Sequence, residues 1–299
     1  MKIGYVGLGN MGGRLARRLQ LQVTLSVYDR SEAAVADLVG QGAIACASAA
    51  EVAAASDVVF LCLPTSDHVR TVIFGDDGIA STAAPGTIVV DQTTGDPTAT
   101  RDMAEKLKAQ GITLLDAPVS GGPMGADAGT IAIMVGAPDD QYASLAEILR
   151  IISPNVFHAG DVGTGHVMKL CNNLLSSAHR AVSCEAMALA AKNGVDPSRA
   201  LDIILAGSGR NFFLEMFGRS HILSGDLATG FTLGLAHKDV RLATRLGEDS
   251  GVPMYVGNTV KEFFQLSISD QGYSGDVNSV AVVMDNLAGT HVVGAAGTE

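Results

Sequence analysis

Three groups of residues have types and spacings suited to chemistry. Gly7-Leu8-Gly9-Asn10-Met11-Gly12 spells G-x-G-x-x-G directly after an apolar run and at the opening of a helical pattern. Glycines at those places permit a tight turn, let the backbone approach a pyrophosphate, and let the helix pack on the strand. The helix start then presents free N–H groups and the positive end of its dipole to an anion. Asp29 follows Gly7 by 29 − 7 = 22 positions, at the end of a second apolar run. A carboxylate there hydrogen-bonds adenosine ribose hydroxyls, so the pair predicts dinucleotide binding. Asp29 opposes a 2′-phosphate and favours NAD. Its neighbours Arg30 and Ser31 can hold such a phosphate, which keeps NADP open.

Lys169 and Asn173 form the second group. A separation of four puts them on one face of a helix. A helical lysine is ordinarily a solvated surface residue, but this one follows the turn Gly163-Thr164-Gly165, where the chain changes character. The first turn of that helix is expected to face a cleft beside the carboxyl ends of the strands. An ammonium desolvated there has its pKa lowered toward neutrality and serves as general acid or base. Asn173 has a donor and an acceptor with which to orient a reacting oxygen. The third group is Ser120-Gly121-Gly122 after a strand. Its N–H groups and hydroxyl can converge on a carboxylate, and its small residues leave room for one. On these residues alone an ordinary turn is the better reading.

The elements that must position these groups read in two styles. In the first half, apolar runs of strand length (Lys2–Gly7, Val23–Tyr28, Val58–Leu63, Thr87–Asp91, Ile112–Asp116) alternate with helical stretches (Asn10–Gln20, Glu32–Val39, Thr98–Gln110). Such alternation predicts an α/β, Rossmann-type, doubly wound sheet covered on both faces. Ser31 is placed to cap the second helix. After Ala159–Gly165 the pattern changes. Val167–Lys192 contains neither Pro nor Gly and predicts one helix of ~26 residues, ~39 Å long. Ser198–Leu205, Leu233–Ser250, Gly257–Leu266 and Val280–Leu287 add further helices. We therefore expect a dinucleotide-binding domain over 1–162, then an all-α substrate and oligomerisation domain over 163–299, joined by the long helix.

Composition narrows the class. With 20 Lys+Arg against 31 Asp+Glu the net charge is −11, which opposes a nucleic-acid partner. No apolar run reaches the ~18–20 residues of a membrane helix, and the N-terminus lacks the pattern of a signal peptide. Cys46, Cys62, Cys171 and Cys184 form no Cys-x-x-Cys pair. No metal site or disulfide is expected, reduced thiols fit a cytoplasmic location, and Cys62 reads as a small core residue.

Four stretches together resemble the β-hydroxyacid dehydrogenases, the family that includes 3-hydroxyisobutyrate dehydrogenase. They are Gly7–Gly12, then Asp116-Ala117-Pro118-Val119-Ser120-Gly121-Gly122, then Gly163–Lys169 running on to Asn172-Asn173, and last Phe231 with Lys238-Asp239. They occur in family order from Lys2 to about Leu242. The resemblance implies that Ser120, Gly121 and Gly122 bind the substrate acid group, that Lys169 exchanges the hydroxyl proton, and that Asn173 assists it. It further implies cofactor contacts from Leu63, Pro64, Thr94, Phe231 and Lys238. The expected reaction is reversible oxidation of a small β-hydroxy acid to its semialdehyde, with hydride passing to nicotinamide, in a homodimer or homotetramer. Substrate choice is expected on Gly122–Asp127 and Ser208–Phe217, where Arg210 and Asn211 can bind a second acidic or polar group. Arg210 can equally cap a helix or face solvent. The enzymatic alternative is an NADPH-dependent reductase of small aldehydes such as glyoxylate or succinic semialdehyde. A non-catalytic dinucleotide-binding module is the remote one. An imine reductase would lack the lysine, so Lys169 argues against it.

Overall fold

Short β-rich runs become strands because alternate side chains have apolar cover on each side. In the computed structural model, which describes residues 1–295, the first unit spans Met1–Lys169 and the second starts at Leu170. The first unit contains β1 (Ile3–Val6), α1 (Gly12–Gln20), β2 (Leu25–Tyr28), α2 (Glu32–Val39), β3 (Ile44–Ala45), α3 (Ala49–Ala54), β4 (Val58–Leu61) and α4 (Ser66–Phe74). It continues with β5 (Ile88–Asp91), α5 (Pro97–Lys108), β6 (Thr113–Asp116), β7 (Val119–Ser120), α6 (Gly122–Ala128), β8 (Ala132–Gly136), α7 (Asp139–Ile152) and β9 (Val156–Gly160). The sheet order is β3-β2-β1-β4-β5-β6-β8-β7, with β9 on β8. From β3 to β6 every pairing is parallel, whereas β8 runs antiparallel to β6 and β7.

Both faces of this sheet are covered. In β4, Val58 and Phe60 pack with Leu15, Leu19 and Leu149, while Val59 and Leu61 pack with Val52, Ile73, Met103 and Leu107. Period-two alternation therefore feeds two cores, as expected of a doubly wound sheet. Leu15 and Leu19, four apart on α1, are both fully buried; truncating either to Ala costs ~2–5 kcal/mol. The Ser31 hydroxyl accepts the Ala34 N–H, which caps α2 as the sequence suggests.

The long helix α8 (Thr164–Lys192) has 29 residues and starts three residues earlier than the apolar spacing indicates. The remaining elements are α9 (Pro197–Ala206), a wide π-helical segment over Leu214–Leu223, α10 (Leu233–Ser250), α11 (Tyr255–Gln271) and α12 (Val280–Ala288). Their shared core holds Leu201, Leu223, Leu233, Val240, Phe264 and Val280. Extended pairing among the described residues of this unit is limited to one bridge between Thr232 and Asp276. Residues 296–299 of the expected helical domain lie outside the described residues. Cys62 is half-buried against the core rather than enclosed by it, and Leu189 of α8 is exposed. Among the described residues no helix is long and apolar enough to cross a membrane.

Candidate active site

The sheet order reverses between β1 and β4, and ligands of open α/β sheets bind beyond the strand ends at such a reversal. Gly7–Gly12 lies there, between β1 and α1. Gly7 has φ +93°, which a side chain would strain, and a Cβ on Gly12 would run into the Gly7 carbonyl oxygen. Gly9 and Asn10 are exposed, Met11 is half-buried and Leu8 is buried. The first turn of α1 contains no acidic residue and carries Arg14, and Arg17 and Arg18 stand in the last turn. This cradle fits a pyrophosphate on its own geometry and charge.

Asp29 follows β2. Its Oδ2 accepts the Leu8 N–H at 2.6 Å, and its Oδ1 accepts the Ser31 N–H at 2.7 Å. The carboxylate thus ties the end of β2 to the glycine turn, with Arg30 and Ser31 exposed beside it. Leu63 and Pro64 follow β4, and Thr94 follows β5. The Leu63 N–H donates to Thr93 Oγ1 at 3.0 Å, which links these two segments. Ser120 ends β7 half-buried, while Gly121 and Gly122 are exposed at φ +139° and +65°. The expected cofactor residues of the first half therefore share the carboxyl edge of one sheet.

Lys169 lies one turn into α8 and is 8% exposed, so the solvated-lysine alternative does not describe it. The start of α8 is held by Asp116, whose carboxylate oxygens accept the Gly163 N–H at 2.6 Å and the His166 N–H at 2.8 Å. Asp116 is also the first residue of the stretch that leads to Ser120.

In the second unit, Asn173 Nδ2 donates to Asp239 Oδ2 at 2.6 Å, and Asn172 Nδ2 donates to Asn173 Oδ1 at 3.1 Å. Lys238 Nζ stands 3.2 Å from Asp239 Oδ1, and both side chains are buried, at 9% and 3% exposure. A Lys–Asp dipeptide suggests a surface pair from sequence; here it is a buried one that also holds Asn173. Asp239 is the residue that the sequence undervalued. Arg210 is exposed. The Asn211 amide donates to Ser183 and to the Gly209 carbonyl, and its oxygen accepts the Leu214 N–H. Phe231 is half-buried just before α10. The described residues contain no group of three or more His, Cys, Asp or Glu side chains that could hold a metal ion. Burial lowers the His237 pKa, aided by Arg241.

A doubly wound sheet whose order reverses at a glycine cradle, followed by a helical unit, defines a class of nicotinamide-dinucleotide oxidoreductases. Residues 2–160 match the family model described as the NAD binding domain of 6-phosphogluconate dehydrogenase. Residues 163–284 match the one described as NAD-binding of NADP-dependent 3-hydroxyisobutyrate dehydrogenase. The chain is 38% identical to 2-(hydroxymethyl)glutarate dehydrogenase of Eubacterium barkeri, with 98% of each chain covered. It is 37% identical to 3-hydroxyisobutyrate dehydrogenase of Pseudomonas aeruginosa over 88% of this chain and 91% of that one. A solved Mycobacterium tuberculosis 3-hydroxyisobutyrate dehydrogenase with L-serine superposes at TM-score 0.86 and 27% identity, covering 95% of this chain and 98% of that one. The chain belongs to the β-hydroxyacid dehydrogenase family and is an NAD(P)-dependent oxidoreductase of hydroxy acids.

Proposed function

We propose that the protein oxidises a small β-hydroxy acid reversibly to its semialdehyde, with NAD as the favoured cofactor. The observation that carries this reading is the buried Lys169, one turn into a helix whose start is held by Asp116, the residue that opens the Asp116–Gly122 stretch. Gly7–Gly12 holds the pyrophosphate and Asp29 the adenosine ribose, with Leu63, Pro64, Thr94, Phe231 and Lys238 completing the dinucleotide site. Once bound, the nicotinamide supplies the hydride acceptor in oxidation and the donor in reduction. Ser120, Gly121 and Gly122 bind the substrate carboxylate. Lys169 takes the hydroxyl proton during oxidation and returns it during reduction. Asn173, its amide fixed by Asp239, orients the reacting oxygen. Positioning matters because a misplacement near 1 Å costs ~10²-fold in rate.

Arg210 is the better candidate for a second acidic group, because the Asn211 amide is engaged with Ser183 of α8 and within its own turn. The substrate named for the Eubacterium relative is a β-hydroxy acid of this kind, with a distal carboxylate. We assign dinucleotide binding to residues 1–162 and substrate and oligomer contacts to 163–299, and we place the protein in the cytoplasm as a homodimer or homotetramer. Leu175, Val182 and Leu189, at 58%, 55% and 67% exposure, recur every seven residues along α8, a spacing suited to a second helix. The second reading, NADPH-dependent reduction of small aldehydes, draws on the exposed Arg30 and Ser31.

A cofactor and substrate panel followed at the reduced-nicotinamide absorbance separates these readings. Purified protein would receive NAD or NADP with 3-hydroxyisobutyrate, 2-(hydroxymethyl)glutarate or L-serine, and NADH or NADPH with glyoxylate or succinic semialdehyde. We expect the highest kcat/KM with NAD and a β-hydroxy acid. Turnover confined to NADPH and aldehydes would replace this reading with the second. Silence throughout, in protein that binds the dinucleotide, would refute both.

A further inference from the structure

Asp91 and Asp116 stand side by side in register on β5 and β6, each the last residue of its strand and each fully buried. Two carboxylates so placed repel each other and lose hydration, so they persist only with partners. Asp91 Oδ1 accepts the Thr93 N–H at 2.9 Å, and the start of α8 supplies the partners of Asp116. Asp116 accepts the N–H groups of Gly163 and His166, the residue before the helix and its third residue. A strand carboxylate thus performs the task of a helix N-cap. Gly136 and Gly165 make room for it: a Cβ on Gly165 would meet Asp116 Oδ2 at 2.8 Å, and one on Gly136 would run into the same carboxylate.

The His166 ring, also fully buried, spans the two acids. Its Nδ1 lies 3.9 Å from Asp116 Oδ2, and its Nε2 lies 3.9 Å from Asp91 Oδ2. Thr100 Oγ1 is 3.0 Å from Nδ1, and the Thr100 hydroxyl donates to the Asp96 carbonyl. We therefore assign Nδ1 as the donor to Thr100. Burial pushes the Asp91 carboxyl above its ordinary range, and His166 draws it back. Each of the three residues precedes an expected site residue by one short step: Asp91 before Thr94, Asp116 before Ser120, and His166 before Lys169.

We propose that Asp91, Asp116 and His166 form a buried positioning group that fixes the spacing of the segments carrying Thr94, Ser120 and Lys169, with His166 setting the rotation of the first turn of α8. They are positioning residues acting through Lys169, and the proposal rests on the reading of Lys169 as the proton-transfer group.

The test compares wild type, His166→Ala, His166→Gln, Thr100→Val and Lys169→Ala at 20 °C, with NAD and the β-hydroxy acid turned over fastest. For each we would measure kcat, KM for acid and dinucleotide, and the thermal midpoint. His166→Ala is expected to lower kcat by ~10²-fold with KM for the dinucleotide within about twofold of wild type. His166→Gln keeps a donor for the acids and a partner for Thr100, so it should recover about tenfold of that loss. Thr100→Val removes the Nδ1 partner together with the bond to the Asp96 carbonyl and should lower kcat by about tenfold. If His166→Ala does not fold, the Gln and Val variants decide. Wild-type kcat in all His166 and Thr100 variants that fold, whatever their midpoints, would overturn the proposal and leave a merely structural group. Should Lys169→Ala retain wild-type kcat, the reading of Lys169 itself fails. An inactive Lys169→Ala beside unimpaired His166 and Thr100 variants sinks the positioning group alone.

Discussion

Asp239→Ala separates a buried functional cluster from a decorative ion pair. The Asp239 carboxylate lies 3.2 Å from Lys238 Nζ and accepts the Asn173 amide at 2.6 Å. At an effective dielectric near 20, charges at that distance attract by about 5 kcal/mol before desolvation is subtracted. Removing one partner of a buried pair costs ~3–5 kcal/mol, because the other charge stays buried and uncompensated. A surface pair would cost at most about 1 kcal/mol. For a protein of this size each kcal/mol moves the thermal midpoint by ~2–4 °C, so a drop of ~6–20 °C is expected. Urea denaturation of wild type, Asp239→Ala, Lys238→Met and the double variant gives the coupling directly. We predict that the double variant is more stable than Asp239→Ala by at least ~2 kcal/mol, since it no longer buries an ammonium that has lost its carboxylate. A loss below ~1 kcal/mol in Asp239→Ala, with additive single changes, would refute the reasoning.

Three further outcomes are expected. Gly12→Ala places a Cβ against the Gly7 carbonyl, so the dinucleotide Kd, read by quenching of reduced-nicotinamide fluorescence, should rise by ~10²-fold or more, an affinity loss near 2.7 kcal/mol. Burial pushes the Cys184 thiol up to about 12, whereas Cys171 is exposed. At pH 8 iodoacetamide should label Cys171 and spare Cys184 in the folded protein. Because the folded pKa of Cys184 exceeds the unfolded one, its contribution to stability is full below about pH 8.5 and is lost as pH rises toward 12.

Much of the fold was legible because the central parallel strands need cover on both faces and so appear as unbroken apolar runs. Val58–Leu61, Ile88–Asp91 and Thr113–Asp116 fall inside the runs identified from sequence, and α10 matches its predicted limits. The short elements were not legible. β3 and β7 have two residues each, and the antiparallel β7–β8 pairing is set by contacts distant in sequence. The π-helical turn over Leu214–Leu223 has no sequence period that distinguishes it from an ordinary helix. At the candidate site, glycine spacing identified the cradle and helical spacing identified the Lys169–Asn173 face. Residues that act by holding others were harder to see. Asp91 and Asp116 carry a usable signal, since each is a charged residue closing an apolar strand. His166 and Asp239 gain their meaning only from partners 50 to 75 positions away in the chain (166 − 116 = 50 and 166 − 91 = 75) or, for Asp239, from Asn173, 239 − 173 = 66 positions away.

The most direct measurement is single-turnover hydride transfer in Lys169→Ala, with dinucleotide affinity measured on the same sample. The account predicts a Kd within about twofold of wild type and a transfer rate lower by ~10²–10⁴-fold, the range expected when a general acid–base group is removed. Wild-type transfer in Lys169→Ala that binds the dinucleotide normally would contradict it.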